Sequence, residues 1–434
     1  MKKRILLVLI FSLGVMNLFG CGFGGFSDSG GGPAPDQSDP SNTDTIINGV
    51  VSKGIFKNGT IRVYAVNTDG SETLLKTNPI GAFGNYSANI GSNRGTPTGS
   101  YSGVVLIKAS GTYIDEATGS ESAIDDSHPL RAAVANPSGE LNAAVTPLTE
   151  LAARKALAVQ AAGKQPTAID VNDANALVSD MFKVDIIATQ PVMPDKTEHG
   201  FGNAATTQAQ KDYTLALAAI SQMAKDAGAL SNVFAAMESD IADGAMSVET
   251  ATAFNTALIN FLKSDINGTG VKDINSTNLV NVGGATKIVK IGTAEKVGAG
   301  AVITGITVTL QLPPGVTVKA DFSVPGNPAK VTLQGVVTAS GVPPAGTQIE
   351  AAYTRAAGSL PGLVTLSLGN AAGFVAGEFV TITCDLPAGA SLKSTDFIIF
   401  KNPDDPNDFR NFRAVDGNGA PFPESIVSVA ILPE

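Results

Sequence analysis

Ile306, Val308, Leu310 and Leu312 alternate with Thr307, Thr309 and Gln311, and the pattern stops at Pro313-Pro314-Gly315. Successive strand side chains point to opposite faces, so this period of two fits a strand with one dry face and one wet face, and it excludes a helix. The same alternation returns at Val364, Leu366 and Leu368 and at Val427, Val429 and Ile431, with loops of Gly, Pro, Asn and Asp between them. Several short strands at this spacing predict an antiparallel sandwich over 291–434. A chain of 434 residues with only two cysteines, Cys21 and Cys384, must be held by packing and not by a disulfide framework.

A second strand-rich region is expected over 46–144. In Thr60 to Val66, Ile61, Val63 and Ala65 face one way and Arg62 and Tyr64 the other; Asp69-Gly70 then supplies a hairpin turn before Leu74-Leu75. Gly103 to Ala109 reads as a nearly continuous apolar strand. At Thr146-Pro147 the period changes to that of helices. Thr146 stands as N-cap with Pro147 at the first helical position, and a run of Ala and Leu continues to Gly163. Thr167-Ala168-Ile169-Asp170 starts a second helix with a capping box, a third runs from about Ala205 to Ala227 before Gly228, and Ser231 and Ser247 are the caps expected for two more. Phe254, Leu258, Phe261 and Leu262 fall on one face of the last. The helical region covers 145–264 and a polar linker 265–290. The predicted fold class is therefore multidomain β, α, β: a β-sandwich, a central helical bundle and a second β-sandwich.

Three resemblances refine that order. Gly49-Val50-Val51-Ser52-Lys53-Gly54 followed by Ile61-Arg62-Val63-Tyr64 resembles the opening of carboxypeptidase-regulatory-like, transthyretin-type (Ig-like) sandwiches. Val145-Thr146-Pro147-Leu148-Thr149-Glu150-Leu151-Ala152, with Val184-Asp185-Ile186 and Thr189-Gln190-Pro191-Val192, resembles a helical module that lies between β-domains in bacterial lipoproteins and implies architecture alone. Val308 to Val318, Tyr353 and Gly377-Glu378-Phe379-Val380-Thr381-Ile382, followed by Pro387-Ala388-Gly389-Ala390, resemble cohesin-like and carbohydrate-binding-module jelly rolls.

At the other end, Lys2, Lys3 and Arg4 precede an apolar run from Ile5 to Phe19 that is too short for a span needing about 20 residues. Its end, Leu18-Phe19-Gly20-Cys21, resembles the lipobox of bacterial lipoproteins, although Phe19 is bulky for its slot. The resemblance implies a signal peptide over 1–20, lipid on Cys21 as the membrane partner, and a place in the cell envelope. Gly22 after the cysteine points to the outer membrane, on its periplasmic face or at the cell surface. Residues 21–45, rich in Gly, Ser, Pro and Asp, read as a flexible tether. With Cys21 acylated, Cys384 has no partner for an intramolecular disulfide.

A formal net charge of −10 argues against nucleic acid as a partner. His128 and His199 stand apart beside turn sequence and form no metal-ligand spacing. Gly99-Ser100-Tyr101-Ser102-Gly103 places Tyr101 where a hydrolase elbow needs serine. Cys384 shares a strand face with Val380, Ile382 and Leu386 and reads as a buried apolar thiol. Asp265-Ile266-Asn267-Gly268-Thr269-Gly270 with Asp273 looks like half of a dockerin calcium loop, but Ser276 stands where the closing acid is needed. Asp404, Asp405 and Asp408, beside Asn407, are the other candidate calcium ligands; interrupted by Pro403 and Pro406, they read more simply as an exposed acidic turn. The expectation is no enzyme, no cofactor and no resident metal. A non-catalytic binding or scaffold lipoprotein with a protein or surface-polysaccharide partner is expected. The alternative is a carbohydrate-binding or glycan-hydrolysing accessory protein using Tyr353, Tyr101 or scattered Phe residues for stacking, or dispersed carboxylates such as Glu350 and Glu378.

Overall fold

The computed structural model describes residues 44–91, 101, 103–162, 164–296, 299–322, 329–331 and 335–433. Cys21, the expected signal peptide and the expected tether as far as residue 43 lie outside the described residues; the end assigned to the tether differs, since buried Thr45 is already the first residue of the first strand. The first half carries strands β1 (Thr45–Val50), β2 (Ile55–Val66), β3 (Glu72–Ile80), β4 (Asn85–Gly91), β5 (Val104–Ile114), β6 (Glu121–Ile124), β7 (Leu130–Ala135) and β8 (Glu140–Asn142). They form a small sheet in the order β4-β1-β8 and a larger one, β3-β2-β5-β6, with β7 also on β5. All pairings are antiparallel except β1 with β8.

The Asp69-Gly70 turn joins β2 to β3 as expected, with Gly70 at φ +79°. The alternation of β2 runs on through Val66 and its register with β5 is unbroken from Asn58 to Ala65, while the register with β3 shifts after Val63, where Leu75 is the extra residue on β3. Ile61 and Val63 are buried on one side, Ala65 is only partly buried, and Val66 enters a core on the opposite side. The continuous apolar run of β5 has the cause expected of it, burial on both faces: Val105, Ile107 and Ala109 on one, Val104 and Leu106 on the other.

Five helices follow among the described residues: α1 (Pro147–Leu157), α2 (Ala168–Phe182), α3 (Gln208–Ala227), α4 (Leu230–Asp243) and α5 (Val248–Lys263). Capping boxes start α1, α2 and α3 at Thr146, Thr167 and Thr207, and Ser247 caps α5. Ser231 does not cap α4 but lies inside its first turn, because left-handed Gly228 turns the chain so sharply that the helix begins at Leu230. The helices do not have a core of their own. Ile47 and Ala88 from the small sheet, Val63 and Ile107 from the large one, and Leu151, Phe254 and Leu258 from the helices belong to one buried cluster, while α1 and α2 cover the other face of β5.

The second half contains β9 (Thr286–Glu295), β10 (Ile303–Gln311), β11 (Ala320–Asp321), β12 (Ala329–Val331), β13 (Val337–Ala339), β14 (Gln348–Thr354), β15 (Leu363–Phe374), β16 (Glu378–Asp385), β17 (Ile398–Ile399), β18 (Arg413–Val415) and β19 (Val427–Ile431). One sheet runs β11-β12-β14-β15-β10-β17, with β18 also on β10; the other runs β13-β16-β9-β19. They enclose a separate core in which Ile306, Val308, Leu310, Leu366 and Leu368 of the first sheet meet Val289, Ile291, Val380, Ile382 and Cys384 of the second. This is a β-sandwich, and the alternation that predicted it is the alternation it uses.

Residues 265–285 join the halves, and they are more buried than a polar linker. Thr277, Leu279 and Val282 are inaccessible, and Asn281 donates through Nδ2 to Gly315 O, Thr317 Oγ1 and Asp385 O, each at 2.9 Å. A Cβ on Gly284 would lie 1.7 Å from Leu386 O, so the two backbones meet at a distance that only glycine permits.

Candidate functional site

Strands β17 and β18 both pair with β10, at Leu310↔Ile399 and Thr307↔Arg413, so both feet of the 400–412 excursion stand on one strand. This loop holds the acidic cluster singled out in the sequence. Phe400 N donates to Thr309 O at 2.8 Å, and inside the loop Asn402 N donates to Asn411 Oδ1 at 2.6 Å while Asn411 Nδ2 returns to Asp405 O at 2.9 Å.

Asp408, whose side chain is 6% exposed, accepts from Arg410 Nη2 at 2.6 Å, Arg410 Nε at 3.0 Å, Asn402 Nδ2 at 2.8 Å and the Arg410 backbone N at 2.9 Å. Hydrogen bonds from Arg410 and Asn402 hold its carboxyl well below the usual range. Both oxygens are therefore occupied, and Asp408 is the fastener of the loop. Asp404 and Asp405 are exposed, and Asp405 Oδ1 accepts from Asn407 N at 2.9 Å. Among the described residues no group of three or more His, Cys, Asp or Glu side chains is arranged to hold a metal ion.

The Arg410 guanidinium stacks 4.7 Å from the centre of the Phe400 ring, which fixes the base of the loop. Between these fixed residues Phe409 is 75% exposed, its ring turned away from the core. The outer face of the adjoining sheet is polar. Across four strands Glu350, Ser367, Thr307 and Arg413 stand in one row, and Thr365 stands in the next, its hydroxyl 3.0 Å from that of Thr309, which is itself buried. A rigid loop beside a hydroxyl-rich face can supply one apolar anchor and several hydrogen-bonding groups without paying for much ordering on association.

The other sequence candidates are dispersed. His128 sits in an exposed turn with Nδ1 3.3 Å from Asp125 Oδ1, and His199 stacks on Phe83 with ring centres 4.3 Å apart. Cys384 is inaccessible and burial pushes its thiol up, as the strand pattern predicted. Tyr353 is wholly buried and offers no ring face to a sugar, and Tyr101 is partly buried against the N-terminal core. Glu350 is exposed, whereas Glu378 lies 3.5 Å from Lys290. In the 265–273 loop, Asn267 turns its amide inward to Leu262 O and Val271 O and accepts from Thr269, which closes the end of α5 and leaves no oxygen cage.

A cluster that sequence reasoning missed is buried where β1 and β2 meet α3. Lys53 Nζ lies 2.6 Å from both Asp115 Oδ2 and Ser221 Oγ, beside Glu116. The only local signal was a lysine set in Val50-Val51-Ser52-Lys53-Gly54, since its partners are 62 and 168 residues away. A serine beside a lysine suggests a hydrolytic pair, but Lys53 rests charged beside its acidic neighbours and its side chain is 2% exposed, so the pair is closed to an external substrate.

Comparison of the chain with protein-family models, with curated proteins and with solved structures finds no match.

Proposed function

We propose that this chain is an envelope lipoprotein, tethered through lipid on Cys21, that binds a protein partner with the 400–412 loop and performs no catalysis itself. The observation that carries the reading is Phe409: a phenylalanine 75% exposed on a loop whose neighbours are immobilised by Asp408, Asn402 and Asn411. Exposing a large apolar ring on a flexible loop is common, but holding one rigidly outward is the arrangement of an interface anchor. Asp404 and Asp405 beside it favour a partner pocket with an apolar floor and a basic rim. In this reading the N-terminal sheets belong to a transthyretin-type module and the C-terminal sandwich is a cohesin-like one.

Capture of envelope and secreted proteins by the Cys21→Ser chain tests it. A partner retained by that chain should bind Phe409→Ala at least tenfold more weakly, since loss of a central aromatic anchor costs roughly 2 kcal/mol or more. Asp408→Asn should weaken binding as well, with Phe409 still present. Equal retention by all three proteins would overturn the loop as the site. The hydroxyl rows of the adjoining sheet favour a second reading, a surface polysaccharide, and binding to purified glycans that is lost on changing Thr307 and Glu350 but not Phe409 would select it. Labelled fatty acid that enters the wild-type chain and not Cys21→Ser would establish the anchor.

A further inference from the structure

Lys53 lies in the connection between β1 and β2, and Asp115 and Glu116 directly follow β5. Pairing of Ile55 with Ile114 fixes these segments side by side. The Lys53 and Asp115 side chains are 2% and 13% exposed, and the ammonium nitrogen is 2.6 Å from Oδ2. The other oxygen, Oδ1, accepts from two backbone groups, Ala117 N at 2.9 Å and Thr118 N at 3.0 Å. Glu116 is buried in the same space. Its Oε2 has no hydrogen-bond partner and would be 2.7 Å from a Cβ on Gly54, the residue next to Lys53. Burial pushes the Glu116 carboxyl up, and Ser221 hydrogen-bonds both to it and to Lys53 Nζ. The Tyr113 ring, centred 5.2 Å from Nζ, closes the site.

An amine, a carboxyl with one oxygen held by two N–H donors, and a second carboxyl with an idle oxygen are the parts needed to make an amide. We propose that Lys53 and Asp115 condense to an intramolecular isopeptide bond, with Glu116 carrying the protons.

The pair begins as an ammonium and a carboxylate. The reaction needs one proton to pass from Nζ to Oδ2 to give a neutral amine and acid; loss of hydration in a site closed to water favours that form, while the acidic neighbours hold the resting pair charged. The Nζ lone pair attacks Cγ, forming the N–C bond and moving the carbonyl pair onto Oδ1, where the Ala117 and Thr118 N–H groups receive the charge. Glu116 protonates the Oδ2 hydroxyl as the C–O bond breaks and takes back a proton from nitrogen. One ammonium and one carboxylate are consumed, one amide and one water are formed, and Glu116 ends as it began. No co-reactant is required.

Mass spectrometry of the denatured full chain reads the result directly. With the leader and the lipid on Cys21 taken into account, the folded wild type should be lighter than the linear chain by one water, and trypsin should release residues up to Lys57, uncut after Lys53, joined to the peptide 109–131. Lys53→Arg and Asp115→Ala should have the mass of the linear chain. Asp115→Asn should form the same bond and be lighter than its own sequence by one ammonia. Glu116→Gln, which leaves both reacting groups in place, should melt cooperatively yet crosslink at least tenfold more slowly. A wild-type chain that is folded and retains the linear mass overturns the bond, and this needs no variant to fold. A Glu116→Gln chain that crosslinks at the wild-type rate overturns the part assigned to Glu116.

Discussion

Asp212 is the most informative single residue for the stability of this protein. It is buried in α3 and accepts from Gln208 Nε2 at 2.8 Å and from Asn278 Nδ2 at 2.7 Å, yet burial still pushes its carboxyl up to about 6 from 3.8. The folded chain therefore holds a proton that the unfolded chain has released. For a group raised in this way the stabilisation is fully present below pH 3.8 and is lost as pH rises through about 6. The difference between those limits is on the order of 3 kcal/mol. Urea unfolding of the wild type and of Asp212→Asn across pH 4 to 8 checks this. The substituted chain should be the more stable of the two above pH 6 and should lose that advantage on acidification. Parallel pH profiles would remove Asp212 as the cause. Nothing in Gln208-Ala209-Gln210-Lys211-Asp212 announces a buried acid, because the helix period places Asp212 beside Tyr213 and only the residues around Asn278, far along the chain, enclose it.

At the scale of elements, what could be read in advance is what is local. The starts of α1 and α2 are written in three or four consecutive residues, and each forms its cap where the sequence places it, whereas α3 is capped at Thr207, two residues after the start expected near Ala205. Strands with one wet face were equally legible. The bulge at Leu75 of β3 and the sharing of one core by sheets and helices were not, since both depend on how distant segments meet. The Phe409 loop was seen as an acidic turn, but its locking by Arg410 and Asn411 is a matter of three-dimensional closure. The cap of α1 joins the two kinds of information. Thr146 Oγ1 accepts from Leu148 N and Thr149 N, so its own proton goes to the Tyr213 hydroxyl at 2.8 Å, and Tyr213 donates in turn to Ile186 O at 3.0 Å. Thr146→Ala should cost about 1–2 kcal/mol as the cap is lost, and Tyr213→Phe a similar amount because a buried carbonyl loses its donor. The double substitution should cost less than their sum, by on the order of 1 kcal/mol in denaturant midpoints converted to free energy. Strict additivity would show that the two hydroxyls do not act as one chain.

For the whole molecule the decisive feature is the seam between the helices and the C-terminal sandwich, which is polar where the two cores are apolar. Lys183, in the left-handed residue that ends α2, has a side chain 1% exposed and lies 3.3 Å from Asp180 and 3.5 Å from Asp385. Asp385 is itself buried, with its carboxyl pushed up by burial against the pull of Lys183. An apolar seam would bind almost anything apolar that approached it, whereas buried charges have a low cost only in the one register that pairs them. Lys183 thus specifies how the two cores are joined, and removing it takes from Asp385 its direct ion-pair partner and leaves only the more distant pull of Lys319 against burial. Breaking such a pair costs roughly 3–5 kcal/mol, and here the loss falls on the joint and on neither core. Cys384, next to Asp385 and inaccessible in the sandwich core, is a built-in reporter of that half, and the helices report the other. In the Cys21→Ser chain, thiol labelling at Cys384 and loss of the helical signal should coincide as denaturant rises, because the halves unfold together. With Lys183→Met the Cys384 thiol should become reactive at a lower denaturant concentration than the helices melt. Coincident transitions in that variant would mean that Asn281 and the close approach at Gly284 hold the seam without the buried lysine.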